Sequence, residues 1–558
     1  MKKLILIILI LLLSGCISKE EDISDFKIFE VNDPKKLFIN KYEYNIYKNE
    51  YKFSETNVQV RGVDEADIVK TNGCFIFYSP TSYFNKKTYI INSKALNVTN
   101  VIKDGNLLYL KNNTLIIINR FKNTITSYDI SNPKKIRVIW KKVLNGSYVD
   151  SRVYKDKIYL IIAKGDYPQI WYDVKLKYYI PNVPICRNYI ISEINIKNGK
   201  INRAIALAGG YNTIIYMSRT NIYLTYYISH RDRAYLDFIK ENAEKYFPEE
   251  LSKTLKKIID DNLFSDEAKL LEVKRRINSY IYQLPKEDAL NLKNILDKDF
   301  TNYLKKNIYK YERTGIVKID LKSFSVKSSS VPGRLINRYA MDEYNGNLRL
   351  VTTLGDPIVG YRNNVYVLNS NLKLIGKLEN IEEGKKIFAV RFLKDKVFII
   401  TYYRKDPLLV ISLDDHPKIL GYLNISGYST YLHFINNDKL LAIGKDDDGK
   451  IKIDLYNISN YNNPKLLDRF KLDKFWSLAL YNPHAFLWNK ENKILAIPIE
   501  RSAYIFKIDN EIKLKKIIEH LDYVERVIYI NNHIFSLSPS EVVKTNITSW
   551  KSEKLVIK

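Results

Sequence analysis

A hairpin that keeps returning along the chain constrains this sequence more than any other feature. It reads Arg152-Val-Tyr-Lys-Asp-Lys-Ile-Tyr159, then Arg391-Phe-Leu-Lys-Asp-Lys-Val-Phe398, then Arg526-Val-Ile-Tyr-Ile-Asn-Asn-His-Ile-Phe535. Looser copies run over 68–77, 107–118, 215–224, 341–351, 433–443 and 484–497. Two apolar runs split by a short polar turn make a β-hairpin. A third strand follows and ends in an Asn, Asp or Pro turn, as in Ser127–Pro133, Leu409–Pro417 and Asp454–Asn460. Short antiparallel strands returning every 45 residues or so are the signature of propeller blades. The expectation is an all-β propeller of about eight four-stranded blades. Nine hairpins can be counted, so nine blades follow if the terminal units do not share one.

Composition agrees. At 558 residues the chain is too long for one growing core, and repetition supplies many small ones. Its 46% hydrophobic content excludes disorder, and 44 Tyr among many Ile and Val favour pleated strands. The formal charge is +27. Its lysines are spread without an Arg-rich run, so they read as a solvated surface, and no nucleic-acid partner is expected.

The N-terminus reads as an address. Lys2 and Lys3 precede an apolar run from Leu4 to Leu13, too short to span a bilayer as a helix. Ser14-Gly15-Cys16 follows, resembling the lipobox of secreted lipoproteins, with small residues before a thiol that becomes a thioether. Residues 1–15 are therefore expected to be a signal peptide, Cys16 the lipidated residue, and 16–55 a polar tether. The simpler alternative is an ordinary signal peptide in which Cys16 is incidental. An exported chain can carry glycans, and six sequons stand at Asn97, Asn112, Asn145, Asn424, Asn457 and Asn546. Cys74 and Cys186 fall in different repeat units, and no Cys/His cluster suggests zinc.

The propeller is expected over 56–558, with one interruption. From 232 to 310 the apolar period turns helical, as in Leu251, Leu255, Ile258, Ile259 and again Leu292, Leu296, Phe300, Leu304. Pro248 and Pro285, each followed by acids, read as helix starts. This predicts a helical module inserted into one blade, serving as a cap or as a partner platform.

Several stretches resemble a known group, the secreted and lipoprotein β-propeller-domain proteins of archaea and bacteria, distantly WD40-like. The main one is the segment from Thr56 to Gly73, TNVQVRGVDEADIVKTNG. Asn337–Gly346, Asp406–Leu413 and Gly427–His433 support it. The resemblance covers nearly everything after residue 55 except the helical insertion. It implies the propeller fold and brings no activity with it.

Chemistry is therefore sought in the inner strands, which line a propeller's channel. They carry Arg152, Arg338, Asp342, Arg391, His433 and Arg526. Arg338, Asp342, Arg391, His433 and Arg526 are the candidate ligand-binding set, arginine being suited to anions. Asp64, Glu65 and Asp67, before the first blade, are candidates for a cation or a structural role. The structural alternative has each arginine bonded to a neighbouring blade's carboxylate or carbonyl. Asp446-Asp447-Asp448-Gly449 lacks the alternation and distal Glu of a calcium loop and reads as a turn. No nucleophile elbow or periodic Trp docking repeat is present. The expected function is a membrane-tethered extracytoplasmic binding or scaffolding module without cofactor or metal, anchored by lipid and taking a protein or glycan on a propeller face. The alternative is an extracellular hydrolase or redox enzyme using the channel.

Overall fold

The structure, a computed structural model, describes residues 28–31, 52–81, 86–168, 170–183, 185–210, 213–402 and 406–557; Cys16, the signal peptide and most of the tether lie outside these residues. Nine consecutive sheets of four or more strands occupy them. We number these blades 1 (69–102), 2 (107–143), 3 (147–209), 4 (214–332), 5 (341–381), 6 (386–425), 7 (428–471), 8 (487–519) and 9 (526–556). The blade number is thus the hairpin number. Neither terminal unit shares a blade, because each has four strands of its own.

The continuous apolar runs have a direct explanation. In a middle strand successive side chains point to opposite faces, and here each face meets a different neighbour. Val397, Ile399, Leu409 and Ile411 of blade 6 pack with Leu350 and Val365 of blade 5. Phe398, Ile400, Leu408 and Val410 pack with Leu432, Leu440 and Tyr456 of blade 7. Blade 9 closes on blade 1 in the same way, Phe535 and Leu537 against Ile76 and Tyr78. There the Tyr78 hydroxyl also donates to Glu525 at 2.5 Å.

The Pro-bearing turns fasten neighbouring rims. The turn of blade 6 lies against Gly376 of blade 5, and that of blade 7 against Gly421 of blade 6. A Cβ at Gly421 would stand 2.0 Å from the Tyr461 carbonyl oxygen. Gly421→Ala should therefore cost about 1–3 kcal/mol, the usual effect of overpacking a closed contact. A guanidinium unfolding midpoint equal to wild type would show that the two rims separate freely.

The insertion lies between the second and third strands of blade 4 as four helices: α1 (Arg231–Tyr246), α2 (Glu249–Asp260), α3 (Asp266–Ile281) and α4 (Lys286–Tyr311). Pro248 and Pro285 cap α2 and α4 from one position outside the helices. Phe238, Ile239, Leu255, Val273 and Ile277 form its own core. Ala234, Leu304 and Ile308 seat it on Leu354 and Val359 of blade 5. Beside this seat Arg231 bridges the buried Glu312 and, at 2.5 Å, Asp356.

The tether expectation needs one correction. Ile28–Val31 is an added edge strand, antiparallel to Lys177–Pro181 on the outer side of blade 3. A β-branched and aromatic Ile-Phe-Glu-Val run suits such a place, and a free sheet edge accepts it.

Candidate functional site: the channel and its inner collar

Residues 53–68 circle the inside of the channel against the order of the blades. Phe53 bridges Ile530 of blade 9. Asn57 Nδ2 donates to the Tyr431 hydroxyl of blade 7 at 2.8 Å and to the Pro483 carbonyl before blade 8 at 2.7 Å. Gln59 Nε2 donates to the Arg338 and Met341 carbonyls at blade 5. The Arg61 carbonyl accepts from Arg219 of blade 4 at 2.7 Å. Gly62, at φ 86°, then reverses the chain where the Val63 amide bonds the Val60 carbonyl, as a type II turn requires. Asp64–Glu65 pairs with Arg152 and Val153 of blade 3, and Asp67 bridges Leu108 of blade 2. This stretch is a collar, stitched to six blades before it enters blade 1.

Its carboxylates meet the channel's cations. Glu65 is 2% exposed and faces Arg338, Arg152 at 3.8 Å and His484 Nε2 at 2.9 Å. Asp67 takes Arg526 at 2.7 Å, with His484 Nδ1 at 3.7 Å. Asp64 takes Lys70 at 2.8 Å, and Asp150 pairs with Arg152. Burial works to raise the Glu65 carboxyl, but Arg152, Arg338 and His484 outweigh it and hold it well below the usual range. For Asp67 burial is likewise overcome, here chiefly by Arg526. The His484 ring is the mirror case. Burial would lower its pKa, yet hydrogen bonds to Asp67 and Glu65 raise it above 6.5.

The proposed ligand set therefore divides. Arg338 and Arg526 hold the collar's carboxylates rather than groups of the adjoining blade. Asp342 holds Arg349, on the strand it pairs with. Asp64, Glu65 and Asp67 each have a protein cation against them, which makes them counter-charges. Among the described residues no cluster of three or more His, Cys, Asp or Glu is arranged to hold a metal. Arg338, Arg391 and Arg526 stand at different depths. Arg391 opposes Phe398, in step with Arg152 opposite Tyr159, Asp342 opposite Arg349 and His433 opposite Leu441. Arg526 opposes Leu537 at the far end of its hairpin, and Arg338 lies in a 3-10 turn before its strand.

Arg391 differs from the others. Among the described residues it has neither an ion-pair partner nor a hydrogen-bond acceptor. Its guanidinium carbon lies 5.0 Å from the Tyr339 ring centre and 5.8 Å from that of Tyr431. His433 stands beside it, its pKa pushed down to about 3 by burial and by the Arg391 charge. The imidazole is neutral and bonds the Tyr431 hydroxyl at 3.2 Å.

His484 escaped the sequence reading as a collar clasp. Asn482-Pro483 starts the short turn that aims it, the Asn482 Oδ1 accepting from the His484 amide at 3.0 Å. The sign available in the sequence was complementarity: three carboxylates in one segment and a channel rich in arginine. Elsewhere, Asp446–Gly449 is the predicted turn, Asp446 accepting from the Asp448 and Lys450 amides. Asn97, Asn112, Asn145 and Asn424 are exposed, whereas Asn457 and Asn546 are half-buried and engaged in their own turns. Cys74 lies in blade 1 and Cys186 in blade 3, with no disulfide between them.

A ring of nine radial sheets with a collared channel defines a β-propeller. The family model described as "Beta propeller domain" matches residues 53–550, and the chain belongs to that family. It is 43% identical to an uncharacterized protein of Methanocaldococcus jannaschii, covering 99% of this chain and 96% of that one. It is 32% identical to an uncharacterized protein of Archaeoglobus fulgidus, covering 90% and 84%. Among solved structures, Citrobacter koseri AztD aligns over 88% of this chain and 94% of its own at 9% identity and TM-score 0.34. The C-terminal WD40 domain of Sif2 aligns over 44% and 67% at 12% identity and TM-score 0.29.

Proposed function

We propose that this protein is a lipid-anchored, extracytoplasmic binding propeller that takes an anionic group on a protein or glycan partner at the Arg391 wall of its channel. The observation that supports this is the unmatched charge. Five fixed cations (Lys70, Arg152, Arg338, Arg391 and Arg526) face four carboxylates (Asp64, Glu65, Asp67 and Asp150), and His484 lies against two of the latter. Arg391 is the cation left over, set beside the rings of Tyr339 and Tyr431, which also offer stacking. Binding is favoured over an enzyme because the channel's acids and bases are already engaged. Glu65 and Asp67 are counter-charges to arginines, His484 is bonded between them with its proton held more tightly than usual, and His433 is a neutral hydrogen-bonding group.

Arg391→Met tests this. Having no buried partner to orphan, it should keep stability within about 0.5 kcal/mol of wild type. A panel of carboxylate, sulfate and phosphate compounds should raise the wild-type melting temperature in a salt-sensitive way and leave the variant unmoved. A destabilised variant, or a wild type indifferent to every anion, would remove the channel as a binding site. The anchor has its own test: intact mass of membrane-purified protein should show a lipid on Cys16.

A further inference from the structure

The helical insertion and the strand Ile28–Val31 meet at one corner of the molecule. Ile28 opposes Pro181 in the outermost strand pair of blade 3, and its amide donates to Ser328 Oγ of blade 4 at 3.2 Å. Two residues beyond Pro181, Val183 lines an open cavity of about 500 Å³ shared with His230, Asp232, Arg233, Asp266 and Glu267 at the base of the insertion. Ile28, the residue to which the N-terminal segment is joined, therefore lies next to that base.

Lengths then restrict where the bilayer can be. Ile28 is twelve Cα–Cα steps from Cys16, so in any conformation their Cα atoms stand no more than about 43 Å apart. Helix α4 has 26 residues and is about 39 Å long. It runs straight into the blade 4 strand Glu312–Asp320 without a loop. The two lengths are comparable, so a bilayer holding Cys16 stands no farther from Ile28 than about the insertion's own reach. The insertion's outer end is dressed for an interface. Tyr282 is 83% and Leu290 61% exposed, and Lys293, one turn past Leu290, holds its ammonium 5.7 Å from the Tyr282 ring centre. An amphipathic ring with a snorkelling lysine is the pairing found at headgroup level. Lys286 and Lys293 are offset nearby by Glu287 and Asp288, so the contact is apolar rather than electrostatic.

We propose that the outer end of the insertion rests on the membrane that carries the lipidated Cys16, with Tyr282 and Leu290 in the headgroup–acyl boundary. The insertion then acts as a foot that sets the tilt of the propeller and of its channel. This rests on the anchor reading above.

The test uses full-length protein purified from membranes and reconstituted into neutral vesicles doped with a photoactivatable lipid. Mass spectrometry first reports the lipid on Cys16, then maps the labelled residues. Labelling should concentrate in 282–295, be insensitive to added salt, and fall several-fold in a Tyr282→Asp, Leu290→Asp double variant. That variant, altered only at exposed positions, should melt as wild type does. A lipid on Cys16 with labelling elsewhere, or with labelling unchanged in the double variant, overturns the foot and leaves the anchor standing. An unlipidated Cys16 overturns the anchor, and the foot with it.

Discussion

Glu65→Gln should be among the most destabilising single substitutions this chain can suffer, costing about 3–5 kcal/mol. The glutamine fits the space and keeps some hydrogen bonds. What it removes is the charge against which Arg338, Arg152 and His484 are arranged. Arg152, 5% exposed, keeps Asp150, but Arg338 loses the carboxylate it bonds and His484 the nearer of its two, and breaking one partner of a buried pair leaves the other uncompensated. By contrast Glu491→Gln, which breaks a pair with Lys52 whose side chains are 62% and 73% exposed, should change stability by less than about 1 kcal/mol. Chemical unfolding midpoints of the two variants check both statements. The Glu65 variant also bears on function. It leaves the channel with one more unmatched charge, so sulfate should recover part of its lost stability while doing little for Glu491→Gln. Two equal midpoints would mean that the collar is decoration on a propeller that closes without it.

The fold was legible because its cause is repetitive. Each blade needs two apolar middle strands buried on both faces, a rule that writes runs such as Lys396–Tyr402 into the sequence in every unit. The insertion was legible for the opposite reason: its 3.6-residue period interrupts a period of two. Its expected limits of 232 and 310 fall inside Arg231 and Tyr311, where the His230 amide still bonds the Tyr311 carbonyl at 2.8 Å. The docked Ile28–Val31 strand was not legible, since four residues without a hairpin partner carry no period. It is found only where blade 3 offers an open edge.

The site was legible in its residues and not in its pairings. Inner-strand position identified Arg338, Arg391 and Arg526, but nothing local says that the counter-charges of Arg338 and Arg526 come from a segment up to 459 residues away in sequence. Nor does position within a repeat give depth: Arg338 falls in a 3-10 turn and Arg526 belongs to a shortened hairpin. What distinguishes Arg391 is a relation to its surroundings: two aromatic rings and no carboxylate. A linear reading sees only another arginine.

The collar's clasp carries a pH signature of definite sign. Folded His484 binds its proton more tightly than the unfolded residue, whose pKa is near 6.5. Its contribution to stability is therefore fully present below about pH 6.5. It is lost as pH rises through the folded value. Glu65 and Asp67, depressed in the folded chain, contribute above the ordinary carboxylate range and lose that contribution as pH falls through their folded values. The whole-protein curve mixes this with the opposite behaviour of His433 and His520, pushed down to about 3 and about 4, chiefly by burial. Those two rings cost stability as pH drops below 6.5. The difference between wild type and His484→Gln, measured by guanidinium unfolding at matched pH, removes that background. It should be large and flat under slightly acidic conditions and shrink steadily toward alkaline pH, because there the wild type has lost the same charge. A difference that grows toward alkaline pH would mean that the ring is neutral in the folded chain. Glu65 and Asp67 would then be held by their arginines alone, and the collar would have no clasp that protons control.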